Sequence, residues 1–291
     1  MSDQPLGLGR DRTVVSEAAF LARAKHGTTV SVCLPARNEE STVAAIVEPI
    51  AHLLRDQAGF VDEIIVMDHA STDGTARAAR AAGARVVDCD AIMPAFGPAL
   101  GKGDVLWRSL FASTGDLIVW LDADLASFTP EHVTALARPF LTDARVGMVR
   151  GTPERSLDGV VGEGGRVTEL TARPALELLV PELAHIRQPL GGEYAVRRSV
   201  AEAVPFEVDY GVEMGLLIDI SRRFGVSSIE QVDLPVRIHR QRPLSELSVQ
   251  ARQVLRAVLS RSGPHSERLD SPLRPPARAA RIHAATRGTA S

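Results

Sequence analysis

Over the first 150 residues, short apolar runs alternate with stretches of helical period, regularly enough to predict a layered fold. Thr28-Thr29-Val30-Ser31-Val32-Cys33-Leu34-Pro35 has the length and β-branched content of a strand and stops at its proline. Ala36–Glu40 then opens a helix that runs to about Arg55, with Asn38 or Ser41 placed to cap it. Glu63–Asp68 reads as a second strand, Thr75–Ala82 as an alanine-rich helix ended by Gly83, and Ala84–Asp88 as a third strand. A helix over Asp104–Ser113 leads into the apolar run Leu117-Ile118-Val119-Trp120-Leu121, Pro130 starts another helix, and Val146–Arg150 supplies a fifth strand. Strand and helix alternating at this spacing predict right-handed βαβ units and a parallel sheet. The runs are unbroken rather than alternating, as expected of strands buried on both faces.

From residue 151 the pattern loosens. Gly159–Gly165 is glycine-rich, Arg166–Val180 is helical with a break near Pro174, and Gly191–Val196 reads as a turn and a strand. Gly211–Phe224 and Leu244–Leu259 carry helical periodicity, and Ile229–Ile238 alternates like a strand. The division expected is an N-terminal extension over 1–27 with a short helix at Ser16–Lys25, one half over 28–150, and a second half over 151–262. Residues 263–291 hold five Arg against two acids and three Pro within 272–276, which predicts a disordered or loosely packed tail.

Polar residues gather where the predicted strands end. Pro35–Glu39, Asp68–Asp73 and Asp122-Ala123-Asp124 all follow strands, and ligands of open α/β sheets bind beyond that edge. Two Asp at i, i+2 can hold a hard divalent cation, which in turn can hold a diphosphate. The bare spacing is weak, because Asp88-Cys89-Asp90 has it too. Asn38 and Glu39 suit a base or ribose, Asp68 a base N–H, and Lys102 between Gly101 and Gly103 a phosphate.

Composition narrows the classes without choosing among them. The chain has 291 residues, 45% hydrophobic and 24% charged, with a formal net charge of -3, and gives no electrostatic case for nucleic acid. Cys33 and Cys89 lie in or beside apolar runs and read as buried thiols of a reducing compartment. No apolar stretch approaches the length of a membrane span and the N-terminus lacks the core of a signal peptide, so a cytoplasmic location without membrane contact is expected.

The strings Leu34–Glu40, Asp68–Asp73 and Asp122–Asp124, in that order and spacing, resemble the GT-A family of nucleotide-sugar glycosyltransferases. Longer strings sharpen the resemblance to the glucosyl- and mannosyl-3-phosphoglycerate synthases: Gly101–Leu110, Gly164–Leu170, Gln188–Tyr194, Tyr210–Asp219 and Val236–Pro243. Together they span roughly residues 28–262. The resemblance implies a GT-A fold, Rossmann-like, with a mostly parallel sheet flanked by helices and a smaller C-terminal acceptor-binding part. It implies a retaining transfer of glucose from a nucleoside diphosphate sugar, UDP-glucose favoured, to the 2-hydroxyl of 3-phosphoglycerate. The mannosyl reaction with GDP-mannose and a polyprenyl-phosphate transferase are the alternatives.

It also implies roles. Pro35, Asn38, Glu39, Asp68, His69, Lys102, Asp122 and Ala123 would bind the donor, and Gly165, Arg166 and Thr168 the acceptor. Asp124 and His239 would hold the cation, expected to be Mg²⁺ with Mn²⁺ or Co²⁺ substituting, since a His ligand favours the softer ions. Glu213 would hold hydroxyls, Arg237 would meet the diphosphate, and the backbone near Leu190 would take part in proton transfer. No second carboxylate stands out as a nucleophile, so attack on the face the diphosphate leaves is expected. His69 and Gln241 depart from the glucosyl pattern, where Ser and Asn are usual. A homodimer is implied, with the apolar positions of 244–259 as a candidate seam.

Overall fold

The computed structural model describes residues 6–157, 160–161, 165–238, 244–263 and 273–288. Its strands are β1 (Val30–Ala36), β2 (Glu63–Asp68), β3 (Arg85–Asp88), β4 (Leu117–Trp120), β5 (Met148–Leu157), β6 (Val160–Val161), β7 (Tyr194–Arg197), β8 (Phe206–Glu207), β9 (Ile229–Ile238) and β10 (Leu273–Arg274). Its helices are α1 (Leu6–Ala24), α2 (Val43–Pro49), α3 (Thr75–Ala81), α4 (Lys102–Ala112), α5 (Glu131–Thr142), α6 (Arg173–Leu179), α7 (Arg198–Ala201), α8 (Val212–Phe224), α9 (Leu244–Leu259) and α10 (Ala277–Gly288). The helix after β1 continues past Pro49 to Gln57 in a wider, π-type turn.

An eight-stranded sheet runs in the order β3-β2-β1-β4-β7-β5-β6, with β9 beside β5. β3, β2, β1 and β4 are mutually parallel, as the strand–helix rhythm requires. Successive side chains of each strand point to opposite faces, and here both faces are covered. On β4, Leu117 and Val119 join the core with α1, α2 and α5, whereas Ile118 and Trp120 join the core with α4, α8 and α9. That is why the run is apolar throughout.

Three expectations are corrected. First, the sheet is not parallel throughout: β7, from the second half of the chain, inserts antiparallel between β4 and β5. Strands from both sides of residue 150 thus share one sheet. Second, the N-terminal helix covers 19 residues, not ten or so, because Val14, Ala18 and Leu21 at helical spacing bury one stripe against the core. Third, the tail is not loose where it is described. β10 pairs with β8, and Arg274 forks onto Asp104 through Nε and Nη2, both at 2.7 Å. Trp107 donates to the Pro275 carbonyl, and Ala277 and Ala280 are buried. Alanine and arginine composition looked solvated because the buried carboxylate that needs this arginine lies 170 positions earlier.

Asn38 caps no helix. It sits at φ 58°, and its side-chain oxygen accepts the Thr72 N–H at 2.8 Å, while its own N–H donates to Ser71 Oγ. The loops leaving β1 and β2 are thereby locked together. The stretch after β3 is fixed too: buried Arg108 donates to the carbonyls of Cys89, Ile92 and Gly97. No described helix is long and apolar enough to cross a membrane.

Candidate active site at the carboxyl edge of the sheet

Register places the three polar strand ends together. Ala36 pairs with Asp68 and Cys33 with Trp120, so Pro35–Glu39, Asp68–Asp73 and Asp122–Asp124 leave three adjacent strands at one edge. Asp88-Cys89-Asp90 starts at the end of β3 but closes on itself: Asp88 accepts the Asp90 N–H, and Asp90 accepts the Ala99 N–H. Position alone does not separate the two D-x-D pairs; their partners do.

Lys102 is the centre of the site. As the first residue of α4, it puts Nζ 2.8 Å from Asp122 Oδ1 and 2.8 Å from Glu213 Oε1, at the start of α8. The flanking glycines are there for close approach. A Cβ at Gly103 would stand 2.0 Å from the Glu207 carbonyl oxygen, and one at Gly101 2.8 Å from that of Val208. Burial alone pushes the ammonium down, but Asp122 and Glu213 reverse this and hold Lys102 well above the usual lysine range. Asp122 is confined from the other side by Gly192, where a Cβ would fall 2.1 Å from Asp122 Oδ2.

Behind this trio lies a group that sequence reading missed. Arg150, the third residue of β5, and Tyr194, its cross-strand partner on β7, are fully buried, with the guanidinium 4.5 Å from the ring centroid. Arg150 Nη2 donates to the carbonyls of Gln188 (3.2 Å), Pro189 (3.1 Å) and Gly191 (2.7 Å). Burial lowers the Arg150 pKa, opposed in turn by Tyr194, Glu213, Glu193 and Asp122; burial, then Glu213, raises that of Tyr194. Arg150 closed the predicted fifth strand and was the only signal available. Its importance depends on β7 being its neighbour.

The other candidates distribute as follows. Asp68 accepts the Ser71 N–H, and His69 Nε2 donates to the Ala99 carbonyl, so His69 anchors the loop before Lys102. Glu39 donates its N–H to Thr75 Oγ1. Ala123 is buried with its carbonyl taken by Thr42 Oγ1, which makes it the spacer between the two carboxylates. Pro35 and Asp124 are half-buried at the edge, and Glu213 is buried rather than solvated. Gly165 takes φ 71° ahead of exposed Arg166, while Thr168 is 2% exposed and faces inward. Leu190 is half-buried in the turn held by Arg150. His239 and Gln241 lie outside the described residues, and Arg237 is placed only as part of the β9 backbone. Among the described residues no cluster of three metal-ligating side chains forms.

Comparison with known proteins decides what kind of site this is. A family model described as glycosyl transferase family 2 matches residues 31–166. The glucosyl-3-phosphoglycerate synthase of Mycolicibacterium smegmatis is 52% identical over 84% of this chain and 81% of its own length. The chain belongs to the glucosyl-3-phosphoglycerate synthase family. The fold agrees, as a GT-A glycosyltransferase sheet. The Mycobacterium tuberculosis synthase, crystallised with Mn²⁺, UDP and glucosyl-3-phosphoglycerate, superposes with a TM-score of 0.79 at 42% identity, over 90% of this chain and 95% of that one. A mannosyl-3-phosphoglycerate synthase from Rubrobacter xylanophilus reaches 0.80 at 36% identity, over 89% and 93%. Backbone shape is therefore common to the two activities. A divalent metal accompanies UDP in the glucosyl enzyme's crystals, which agrees with the oxygen-rich edge found here.

Proposed function

We propose that this protein transfers glucose from UDP-glucose to the 2-hydroxyl of 3-phosphoglycerate with retention of configuration. The observation that carries the reading is Lys102, half-buried between Asp122 and Glu213 at the carboxyl edge of a family-typical sheet. One cation there meets the negative charge that develops as the diphosphate departs, in a site with little competing water. Glucose is favoured over mannose by sequence: among superposed structures, identity is 42% to a glucosyl synthase against 36% to a mannosyl one.

In this reading, the loops Pro35–Glu39 and Asp68–His69 seat the nucleoside, and Asp122 and Lys102 the sugar diphosphate. Gly165, Arg166 and Thr168 form the acceptor end, with the exposed Arg166 as its cation. The acceptor 2-hydroxyl oxygen bonds to the anomeric carbon as the bond to the diphosphate oxygen breaks on the same face. The hydroxyl proton passes along the Leu190 carbonyl to the departing phosphate, and Arg237 meets the new charge. Asp122 is already committed to Lys102, so Asp124 is the carboxylate of the pair assigned to the cation, with His239. Hard carboxylate oxygen suits Mg²⁺, and the imidazole extends the range to Mn²⁺ and Co²⁺. The ion, when bound, neutralises the diphosphate. Covalent trapping of glucose on any carboxylate would exclude the same-face route.

The test is a donor panel. Purified protein with 3-phosphoglycerate and Mg²⁺ is expected to convert UDP-glucose into glucosyl-3-phosphoglycerate, to use GDP-mannose poorly, and to stop on chelation. Preferred turnover of GDP-mannose, or undiminished turnover in chelator, would overturn the assignment.

The same reading places the enzyme in the cytoplasm, where the buried thiols Cys33 and Cys89 stay reduced, and makes it a homodimer. On α9, Val254, Ala257 and Val258 face the core, while Leu244 and Val249 are exposed, as are Leu170 and Leu178. Those exposed positions are the seam, not the whole apolar face of the helix. Sedimentation velocity is expected to give a dimer that Leu244→Glu with Leu178→Glu converts to a monomer; a wild-type monomer would refute it.

A further inference from the structure

The turn Gln188–Gly191 leads into β7, and an ordinary turn, with its first carbonyl bonded to the fourth N–H, would present the other carbonyls to water. Here one buried group collects them. Arg150 Nη2 takes the carbonyls of Gln188, Pro189 and Gly191, and among the described residues the Leu190 carbonyl accepts no hydrogen bond. A guanidinium stays charged in a protein interior, and charge-assisted bonds are the stronger kind. The two N–H of Nη2, one of them shared between two carbonyls, hold the 189–190 and 191–192 peptides, which flank the peptide that carries the Leu190 carbonyl.

Arg150 itself cannot drift. It is fully buried, lies 4.5 Å from the Tyr194 ring centroid, and sits in the field of Glu193, Glu213 and Asp122. The last two are the carboxylates that hold Lys102. Gly151, next to Arg150, donates to the Glu193 carbonyl at 2.9 Å, and a Cβ at Gly151 would lie 2.8 Å from that oxygen, so β5 is pressed against the chain just past the turn. Arg150 Nε and Nη1 are buried with no acceptor among the described residues, which leaves Nη2 as the nitrogen that ties Arg150 to the turn.

We propose that Arg150 is a positioning residue for the transfer: by occupying the neighbouring carbonyls it preorganises the turn so that the Leu190 carbonyl is the one left for the acceptor hydroxyl. The proposal rests on the reaction assigned above. A lysine in place of Arg150 keeps a charge under Tyr194, but its shorter stem stops the ammonium short of the place where Nη2 meets the three carbonyls. A misplacement of about 1 Å at a reacting group costs about 100-fold.

The experiment compares wild type with Arg150→Lys and Arg150→Gln, with kcat expressed per UDP-binding site measured by calorimetry. Both variants are expected to lose about 100-fold in kcat, with UDP affinity and the KM for UDP-glucose unchanged. A purely structural role would lower melting temperature and the fraction of binding-competent enzyme, leaving kcat per site at the wild-type value, and that result overturns the proposal. If neither variant folds, amide exchange in the ligand-free wild type decides it. The Gly191 N–H, bonded to the Gln188 carbonyl that Arg150 holds, is expected to be protected before substrate arrives, and exchange as fast as an open loop refutes preorganisation. Failure of the wild type to make glucosyl-3-phosphoglycerate would overturn the reaction and this proposal together. Transfer by wild type with an unimpaired Arg150→Lys variant overturns this proposal alone.

Discussion

Lys102→Met is expected to lower turnover of UDP-glucose by about 100- to 1,000-fold, the loss seen when one preorganised charge partner of a developing anion is removed. The side chain is nearly isosteric, so the space is filled and only the charge goes. Lys102 Nζ holds Asp122 and Glu213 at 2.8 Å each, and without it two carboxylates confront one another where a diphosphate must bind. Steady-state kinetics on the folded variant check this; a variant retaining more than about a tenth of wild-type kcat would rule out the assigned role.

The same residue sets an alkaline dependence whose sign can be worked out. Its folded pKa is raised above the unfolded value, so the stability it contributes is complete below the ordinary lysine value of about 10.4 and is lost as pH rises through the folded one. Urea unfolding of wild type is therefore expected to show no loss from this group between about pH 7 and 9, with a decline only at higher pH.

Asp104→Ala is expected to be the most destabilising single change among the described residues. Asp104 is wholly buried, takes two 2.7 Å bonds from Arg274, one at 3.3 Å from Arg108, and the Leu100 N–H at 3.0 Å. Removing it strands two guanidinium groups in the interior and frees the strap formed by β10 and α10. Breaking a buried pair costs about 3–5 kcal/mol, against a total stability of about 5–15 kcal/mol for a domain. Chemical denaturation reads the difference, and a loss under about 1 kcal/mol would show that the buried cluster is not what secures the tail. Because Arg108 also holds the loop that precedes Lys102, the variant should lose activity with stability rather than after it.

Much of the framework follows from local pattern. Four parallel strands are legible because their residues are apolar on both faces and helices of the right length join them. The polar strand ends at Asn38, Asp68 and Asp122 are legible for the same reason: where the strand stops, the edge begins. Even Glu213 and Lys102, far apart in the chain, stand out as charged residues in glycine-flanked helix starts, and the fold brings them to 2.8 Å.

What local pattern did not determine is which buried charges meet. Arg274 looked like part of a solvated tail until Asp104 appeared beside it, and Arg150 looked like a strand terminus until β7 slid in antiparallel and set Tyr194 opposite. A period of two or 3.6 reports whether a position faces the core, because burial is a property of each residue with its near neighbours. Pairing is a property of two residues that the sheet order brings together. Sequence by itself therefore determined the strands, the edge and the chemistry gathered there. Only the tertiary structure decided that Asp122 belongs to Lys102, that Arg150 grips the turn at Leu190, and that the tail is tied in by a buried ion pair. Charges inside a low-dielectric interior must be neutralised by whatever the topology places within reach.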